Sequence, residues 1–249
     1  MNIDVHILGR DEAEILPYAF RHYLTFASEI TLHDMGSTDN SLEIAFHHGV
    51  KVRHWDTKDK VDDRVNMRIK NECWLGTKAD WVMVVDADEF IYFPEGAVST
   101  LSWYVMAGLP LVRPQGYEMF SSVEPSGEGQ IYDEIKDGAR DDHWYGKPCV
   151  FSPLLVAAME FAPGAHTSIA TLKDGSTFGS PGIPTEPPFY LLHYHQIGPI
   201  ERIAKKYDRT RSRMCEANVQ HGWGNFEPGI KHALDKRNMI LSRLERVIP

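Results

Sequence analysis

The chain has 249 residues, with 26 Lys and Arg against 35 Asp and Glu, for a formal net charge of −9. Phosphate backbones are bound by clustered cations, so this balance argues against a nucleic-acid partner. Its 43% hydrophobic and 24% charged residues are those of a folded chain with a full core, not of a disordered one.

The N-terminal run Met1-Asn-Ile-Asp-Val-His-Ile7 has no basic segment followed by a long apolar one, unlike a signal peptide. The longest mostly apolar stretch, Trp103 to Val112, is about half of what a membrane-spanning helix needs. Cys73, Cys149 and Cys215 are widely separated and show no zinc or disulfide spacing. A cytoplasmic protein is expected, with peripheral attachment at the inner face of a membrane left open.

Ile3, Val5 and Ile7 alternate as a first strand, and apolar residues at helical spacing predict a helix over 12–27. A second strand covers Glu29 to Asp34, a helix Ser41 to His48, and a third strand Val50 to Val52. Residues 64–77 read as helix, and Trp81-Val-Met-Val-Val85 as a strand buried on both faces. This alternation predicts an α/β fold, a Rossmann-type open sheet, mostly parallel and flanked by helices. The second half is less regular. Residues 121–146 and 175–188 read as long loops, Lys147 to Phe151 and Phe189 to His195 as strands, and 199–217 and 228–246 as a C-terminal helical segment. We expect one domain, with 1–94 as a nucleotide-binding half, 95–198 as an acceptor half and 199–249 as C-terminal helices.

In open parallel sheets, ligands bind beyond the carboxyl ends of the strands. Here those ends carry Asp34 with Asp39 five residues on, and Asp86-Ala-Asp-Glu89. Asp86 and Asp88 fall on one side of an extended chain, a pair suited to a divalent cation that shares substrate phosphates. Solvated loop residues are the plainer reading of any one such pair. Several converging carboxylates, though, repel one another unless a cation or substrate sits among them. No GxGxxG and no GxxxxGK[ST] is present, so the phosphates are expected to meet a metal and basic side chains.

Arg10-Asp-Glu-Ala-Glu-Ile-Leu16, His33-Asp-Met-Gly-Ser-Thr-Asp-Asn40 and Val84-Val-Asp-Ala-Asp-Glu-Phe90 resemble, in order and spacing, segments of family 2 glycosyltransferases of the GT-A fold. Tyr145-Gly-Lys-Pro-Cys-Val-Phe151, Pro163-Gly-Ala-His166 and Leu191-Leu-His-Tyr194 resemble further segments of a bacterial branch with a D-x-D-E-F signature. The resemblance runs from about residue 3 to 225. It implies a GT-A-like fold and transfer of a sugar from a nucleotide-sugar donor to a glycan or lipid-linked acceptor, with inversion, in surface polysaccharide or lipopolysaccharide synthesis. It further implies that Asp34 and Asp39 hold the nucleoside, that Asp86 faces ribose or metal, and that Asp88 and His193 bind Mn²⁺ or Mg²⁺. Arg10-Asp11 departs from the usual Asn before Glu, and the usual acid pair that supplies the general base is missing.

Glu118, Asp141 and Asp142 are therefore the candidates for the base. His195 shares a strand face with His193 and is the alternative ligand. Lys147 and His166 are candidates for substrate contact, and Trp144, in a polar loop, for stacking on a sugar. Arg202, Lys205, Lys206, Arg209, Arg211 and Arg213 reverse the overall sign locally. They form either a solvated face or a surface for the donor diphosphate or an anionic membrane acceptor. A sugar-nucleotide nucleotidyltransferase and a non-catalytic nucleotide-sugar-binding protein are the competing functions.

Overall fold

The computed structural model describes residues 1–184, 186–224 and 227–249. Thr185, in the expected 175–188 loop, Asn225, where the resemblance ends, and Phe226 lie outside the described residues.

The first half alternates β1 (Ile3–Gly9), α1 (Leu16–Tyr23), β2 (Glu29–Asp34), α2 (Ser41–His47), β3 (Lys51–His54), α3 (Asp63–Glu72) and β4 (Trp81–Asp86). The four strands are parallel in the order β3-β2-β1-β4. Trp81 to Val85 are all buried, as a continuous apolar run requires when helices cover both faces. Ile3, Val5 and Ile7 pack with α1 residues Leu16, Ala19, Phe20 and Tyr23; Leu8 packs on the opposite face with Ile69 of α3. The helices are shorter than their apolar periodicity predicts. Pro17 stands in the first turn of α1, so residues 12–15 form a turn before it. Asp62 caps α3 by accepting from the Arg64 amide at 3.0 Å.

The second half continues with β5 (Glu89–Tyr92), α4 (Ala97–Met106), β6 (Leu111–Val112), β7 (Gln115–Ser121), α5 (Ile131–Glu134) and β8 (Asp137–Arg140). Then come β9 (Val150–Phe151), β10 (Val156–Phe161), β11 (Ser168–Leu172), β12 (Thr177–Gly179) and β13 (Tyr190–Ile197). It closes with α6 (Ile200–Ser212), α7 (Glu216–His221), α8 (Gly229–Leu241) and β14 (Glu245–Arg246). Antiparallel β9 and β6 extend the first sheet to the order β3-β2-β1-β4-β9-β6. A second sheet runs β14-β8-β7-β13-β5, and a third β10-β11-β12. The expected loop 121–146 thus contains α5 and β8, and the loop 175–188 contains β12. The expected helix 199–217 breaks at Arg213, where the chain leaves α6 to pair with Val61: Val61 N donates to Arg213 O at 2.9 Å and Cys215 N to Val61 O at 3.0 Å. Gly229, at the start of α8, lets that helix approach the Ala204 carbonyl of α6 so closely that a Cβ would collide with it.

One junction positions the site. β4 ends at Asp86 and β5 begins at Glu89, so a two-residue turn, Ala87-Asp88, carries the chain from the first sheet into the second. β13 pairs with β5 in the register His193↔Glu89 and with β7 in the register His193↔Glu118. Tyr194 N then donates to Asp88 O at 2.8 Å. Strand register, not loop flexibility, sets two histidines beside the turn.

Candidate metal centre and adjoining cavity

Asp88 is the focus of this junction. His195 Nδ1 lies 3.1 Å from its Oδ2, and His193 Nε2 lies 3.6 Å from its Oδ1. Lys206, reaching across from α6, puts its Nζ 3.0 Å from Oδ2 and 2.9 Å from Glu12 Oε2. Burial opposes ionisation of Asp88, but Lys206, then His193 and His195, hold it well below the usual carboxylate range. Desolvation opposes the charge of half-buried His193 too, yet Glu118 and Asp88 raise it to about 9. His195 goes the other way, lowered by burial and by Lys206.

These shifts fix the protons. Ionised Asp88 only accepts, so neutral His195 must donate from Nδ1 and keep a bare lone pair on Nε2. That Nε2 is buried without a hydrogen-bond partner. His193 Nδ1 is 2.9 Å from Glu118 Oε1, which turns its Nε2 toward Asp88. A carboxylate behind a histidine is the arrangement that orients metal-ligating imidazoles. One atom each from Asp88, His193 and His195 lies within 4.8 Å of the others. An acceptor oxygen, an orphaned lone pair and an oriented ring that gives up its Nε2 proton on ligation fit a divalent cation.

Asp86 does not join this group. The turn after β4 sends its carboxylate to Lys70 of α3, at 2.7 Å, and to Lys147, at 3.4 Å. The expected two-aspartate pair is thereby corrected: the carboxylates share a strand end but diverge to separate partners. Lys147 is buried and ion-paired with Glu89, whose Oε2 also accepts from the Asp86 amide at 2.9 Å. The repulsion foreseen among these acids is offset by Lys70, Lys147 and Lys206. Lys147 is thus spent inside this network, where burial opposes its charge and Glu89 and Asp86 sustain it.

Other expected residues sit as follows. Asp34 is buried, and its oxygens accept from the amides of Ser37 at 3.0 Å and Gly36 at 3.1 Å, closing its own turn. Asp39 accepts from Ala13 N at 3.0 Å and Ser41 N at 2.9 Å, joining the loop after β1 to the start of α2. His166 Nδ1 is 2.7 Å from Trp144 O, and the two rings meet edge to face at 4.8 Å. Trp144 is 44% exposed; His143 also meets its ring edge to face at 4.9 Å, and the Lys236 ammonium lies over it at 5.9 Å.

The three base candidates are all engaged elsewhere. Glu118 is buried behind His193. Asp142 accepts from Gly116 N at 2.9 Å and from Arg140 Nε at 2.8 Å. Asp141 accepts from Trp144 N at 3.3 Å and faces Arg243 at 3.7 Å. None of them lines the cavity described next.

A cavity of about 680 Å³ opens beside Asp88 and His195, between the 11–15 segment and α6, with Asp39 and Arg209 on its walls. The expected basic face of α6 is divided: Lys205, Arg209 and Arg211 are exposed, while Arg202, Lys206 and Arg213 are half-buried against that segment. Arg202 pairs with Glu14, Lys206 with Glu12, and Arg213 with Asp11 at 3.3 Å, while Arg209 donates to Asp11 O at 3.1 Å. A smaller cavity of about 120 Å³, lined by Leu8, Met35, Asp63, Lys70, Asp86 and Ala165, lies on the Asp86 side. Sequence reasoning missed Lys70 as a partner of Asp86 and Glu12 as a partner of Lys206. Both contacts join residues far apart in the chain, and neither leaves a local pattern.

No protein-family model matches the chain. It is 31% identical over 87 residues to a TPR repeat-containing protein of Synechococcus elongatus, a match covering 35% of this chain and 20% of that one. Among solved structures, TarS of S. aureus (residues 1–349) is similar at TM-score 0.44 and 11% identity, over 94% of this chain and 68% of that chain. Glucosyl-3-phosphoglycerate synthase of Mycobacterium tuberculosis, in complex with Mn²⁺, UDP and glucosyl-3-phosphoglycerate, is similar at TM-score 0.32 and 17% identity, over 47% of this chain and 44% of that chain. Mannosyl-3-phosphoglycerate synthase of Rubrobacter xylanophilus is similar at TM-score 0.35 and 16% identity, over 55% and 45%. The chain thus spans a fifth of the curated relative and less than half of either synthase. At these scores the likeness is a partial one of chain path and says nothing of chemistry. Among the described residues, no helix is long and apolar enough to cross a membrane.

Proposed function

We propose that the chain is a metal-dependent glycosyltransferase that moves a sugar from a nucleotide-sugar donor to an acceptor hydroxyl. The observation that carries this reading is the Asp88–His193–His195 group, with its orphaned His195 nitrogen, opening onto a cavity large enough for a nucleotide-sugar. One carboxylate and two imidazoles suit Mn²⁺, and Mg²⁺ less tightly. When bound, the cation supplies a Lewis acid for the charge that develops on the departing diphosphate.

The chain's own residues do the rest. Glu118 holds the His193 ring, Lys206 and Arg209 bring positive charge to the cavity wall, and Asp39 sits at the cavity edge near the nucleoside. Lys70 and Lys147 hold Asp86 toward the smaller cavity, away from the donor. With Glu118, Asp141 and Asp142 engaged elsewhere, the acceptor proton goes to an acid on the cavity wall, of which Glu124 and Glu201 are the ones to test. We take the displacement to be inverting and the acceptor to be a glycan or lipid-linked glycan of a bacterial surface polysaccharide or lipopolysaccharide. Because Arg202, Lys206 and Arg213 are turned inward, α6 serves the cavity before it serves a membrane surface.

The test is nucleoside diphosphate release from a panel of nucleotide-sugars with Mn²⁺ and with EDTA. Release that needs Mn²⁺ and falls about 100-fold or more in Asp88→Ala is expected. Pyrophosphate formed from a nucleoside triphosphate and a sugar 1-phosphate would instead make the chain a nucleotidyltransferase. Tight nucleotide binding with no turnover of any donor would make it a binding protein.

A further inference from the structure

α6 delivers a cation of the protein's own to the place where the metal is proposed to bind. The Lys206 ammonium lies 3.0 Å from Asp88 Oδ2 and 2.9 Å from Glu12 Oε2, bridging the turn after β4 to the loop after β1. Asp88 Oδ2 is also the oxygen met by His195 Nδ1, at 3.1 Å. Ammonium and metal therefore make claims on the same carboxylate. A dication ligated by Asp88 would sit within a few ångströms of a like charge in a largely buried site, where that repulsion is poorly screened.

We propose that Lys206 is a built-in counter-ion that competes with the divalent cation for Asp88, so that cation binding turns the Lys206 ammonium out into the adjoining cavity. This rests on the reading of Asp88, His193 and His195 as the cation site. Three features of the structure favour exchange over a permanent bridge. Lys206 lines the 680 Å³ cavity, so its flexible stem has space to turn into. α6 keeps its hold on the 11–14 segment without it, through Arg202 to Glu14, Arg209 to Asp11 O and Arg213 to Asp11. The released ammonium would join Arg202, Lys205 and Arg209, which line the same cavity, and an anionic ligand entering it would meet four cations instead of three. Cation and anionic substrate would then bind cooperatively, each favouring the arrangement the other needs.

Binding of Mn²⁺ alone, followed by the electron paramagnetic resonance signal of free Mn²⁺, tests this in wild type, Lys206→Met, Lys205→Met and Asp88→Asn. Lys206→Met is expected to bind about tenfold or more tightly than wild type, and Lys205→Met within about twofold of it. Asp88→Asn is expected to lose the site. Equal or weaker binding by Lys206→Met, with Asp88→Asn still inactive in binding, overturns the counter-ion inference and leaves the cation site standing. Binding that survives Asp88→Asn, or is absent from wild type and Lys206→Met alike, overturns both. Methionine strips Asp88 and Glu12 of their cation, so Lys206→Gln provides a milder second variant. Mn²⁺ should raise the thermal midpoint of either variant more than that of wild type, and an equal or smaller rise counts against the inference.

Discussion

Among the described residues, two groups of three ligating side chains lie within 4.8 Å: Asp88, His193 and His195 at the sheet junction, and His6, His33 and Cys73 between β1, β2 and the end of α3. Each contains a buried histidine nitrogen with no partner, His195 Nε2 in one and His6 Nε2 in the other. The two orphans are chemically opposite. Trp55 Nε1 can only donate, and it meets His33 Nδ1 at 3.0 Å; His33 Nε2 must then carry the proton it shares with His6 Nδ1, also at 3.0 Å. Burial lowers His33 to about 3 and His6 to about 4, so both rings are neutral and His6 Nε2 is left holding a proton. At the junction, ionised Asp88 only accepts, and His195 Nε2 is left holding a lone pair. The first group is a hydrogen-bond relay that ends on a donor; the second is the one proposed above to seat a cation. Proximity of ligand types does not decide a metal site; the partner at the far end of the proton chain does.

The largest effect expected to separate the groups is on stability against pH, measured by urea unfolding in EDTA. His6 and His33 have depressed folded-state values, so their contribution is fully present above the unfolded value near 6.5 and is lost as pH falls toward 4. About 4 to 5 kcal/mol should go between pH 7 and pH 4.5, and His33→Phe should flatten the slope. His193 has the opposite sign. Raised to about 9, its contribution is fully present below 6.5 and lost as pH rises through 9. A slope of one sign across the whole range would break the comparison.

Next in size is the metal itself. His195→Ala should weaken Mn²⁺ binding about 100-fold, whereas Cys73→Ser should leave it within about twofold by calorimetry. Glu118→Gln, which removes the charge that orients His193, should cost about 10-fold, and a larger loss of affinity than of thermal stability would distinguish orientation from folding. The smallest effect is expected at Trp55→Phe. Loss of its hydrogen bond to His33 should cost about 1 kcal/mol and free His33 to change tautomer, visible in the ring ¹⁵N shifts. Unchanged shifts would mean that Trp55 does not set the relay.

The contrast also shows what the sequence discloses. Asp88, His193 and His195 were legible because an Asp-x-Asp follows the most apolar strand and a His-x-His lies on a later one, and both patterns survive translation into strand ends and faces. The parallel half was legible for the same reason: each strand is a continuous or alternating apolar run. β10 was not. Val156-Ala-Ala-Met-Glu-Phe161 is rich in helix formers and becomes a strand only by pairing with β11. β7 was hidden because Glu118, an acid, is buried within it to meet His193 from the neighbouring strand. The lysines that neutralise the acids come from α3, the 146–149 segment and α6, and nothing local in Lys70 or Lys206 marks those contacts. Asp34 and Asp141 accept from amides two or three residues on, and in sequence a loop carboxylate that closes its own turn looks like one offered to a ligand.

Anomalous diffraction from a crystal soaked in Mn²⁺ tests the central claim most directly. The account predicts one strong peak among Asp88, His193 and His195, with Lys206 turned away and no peak at His6, His33 and Cys73. A peak at the His6 group, or at Asp86 with Asp88 still bonded to Lys206, would contradict it.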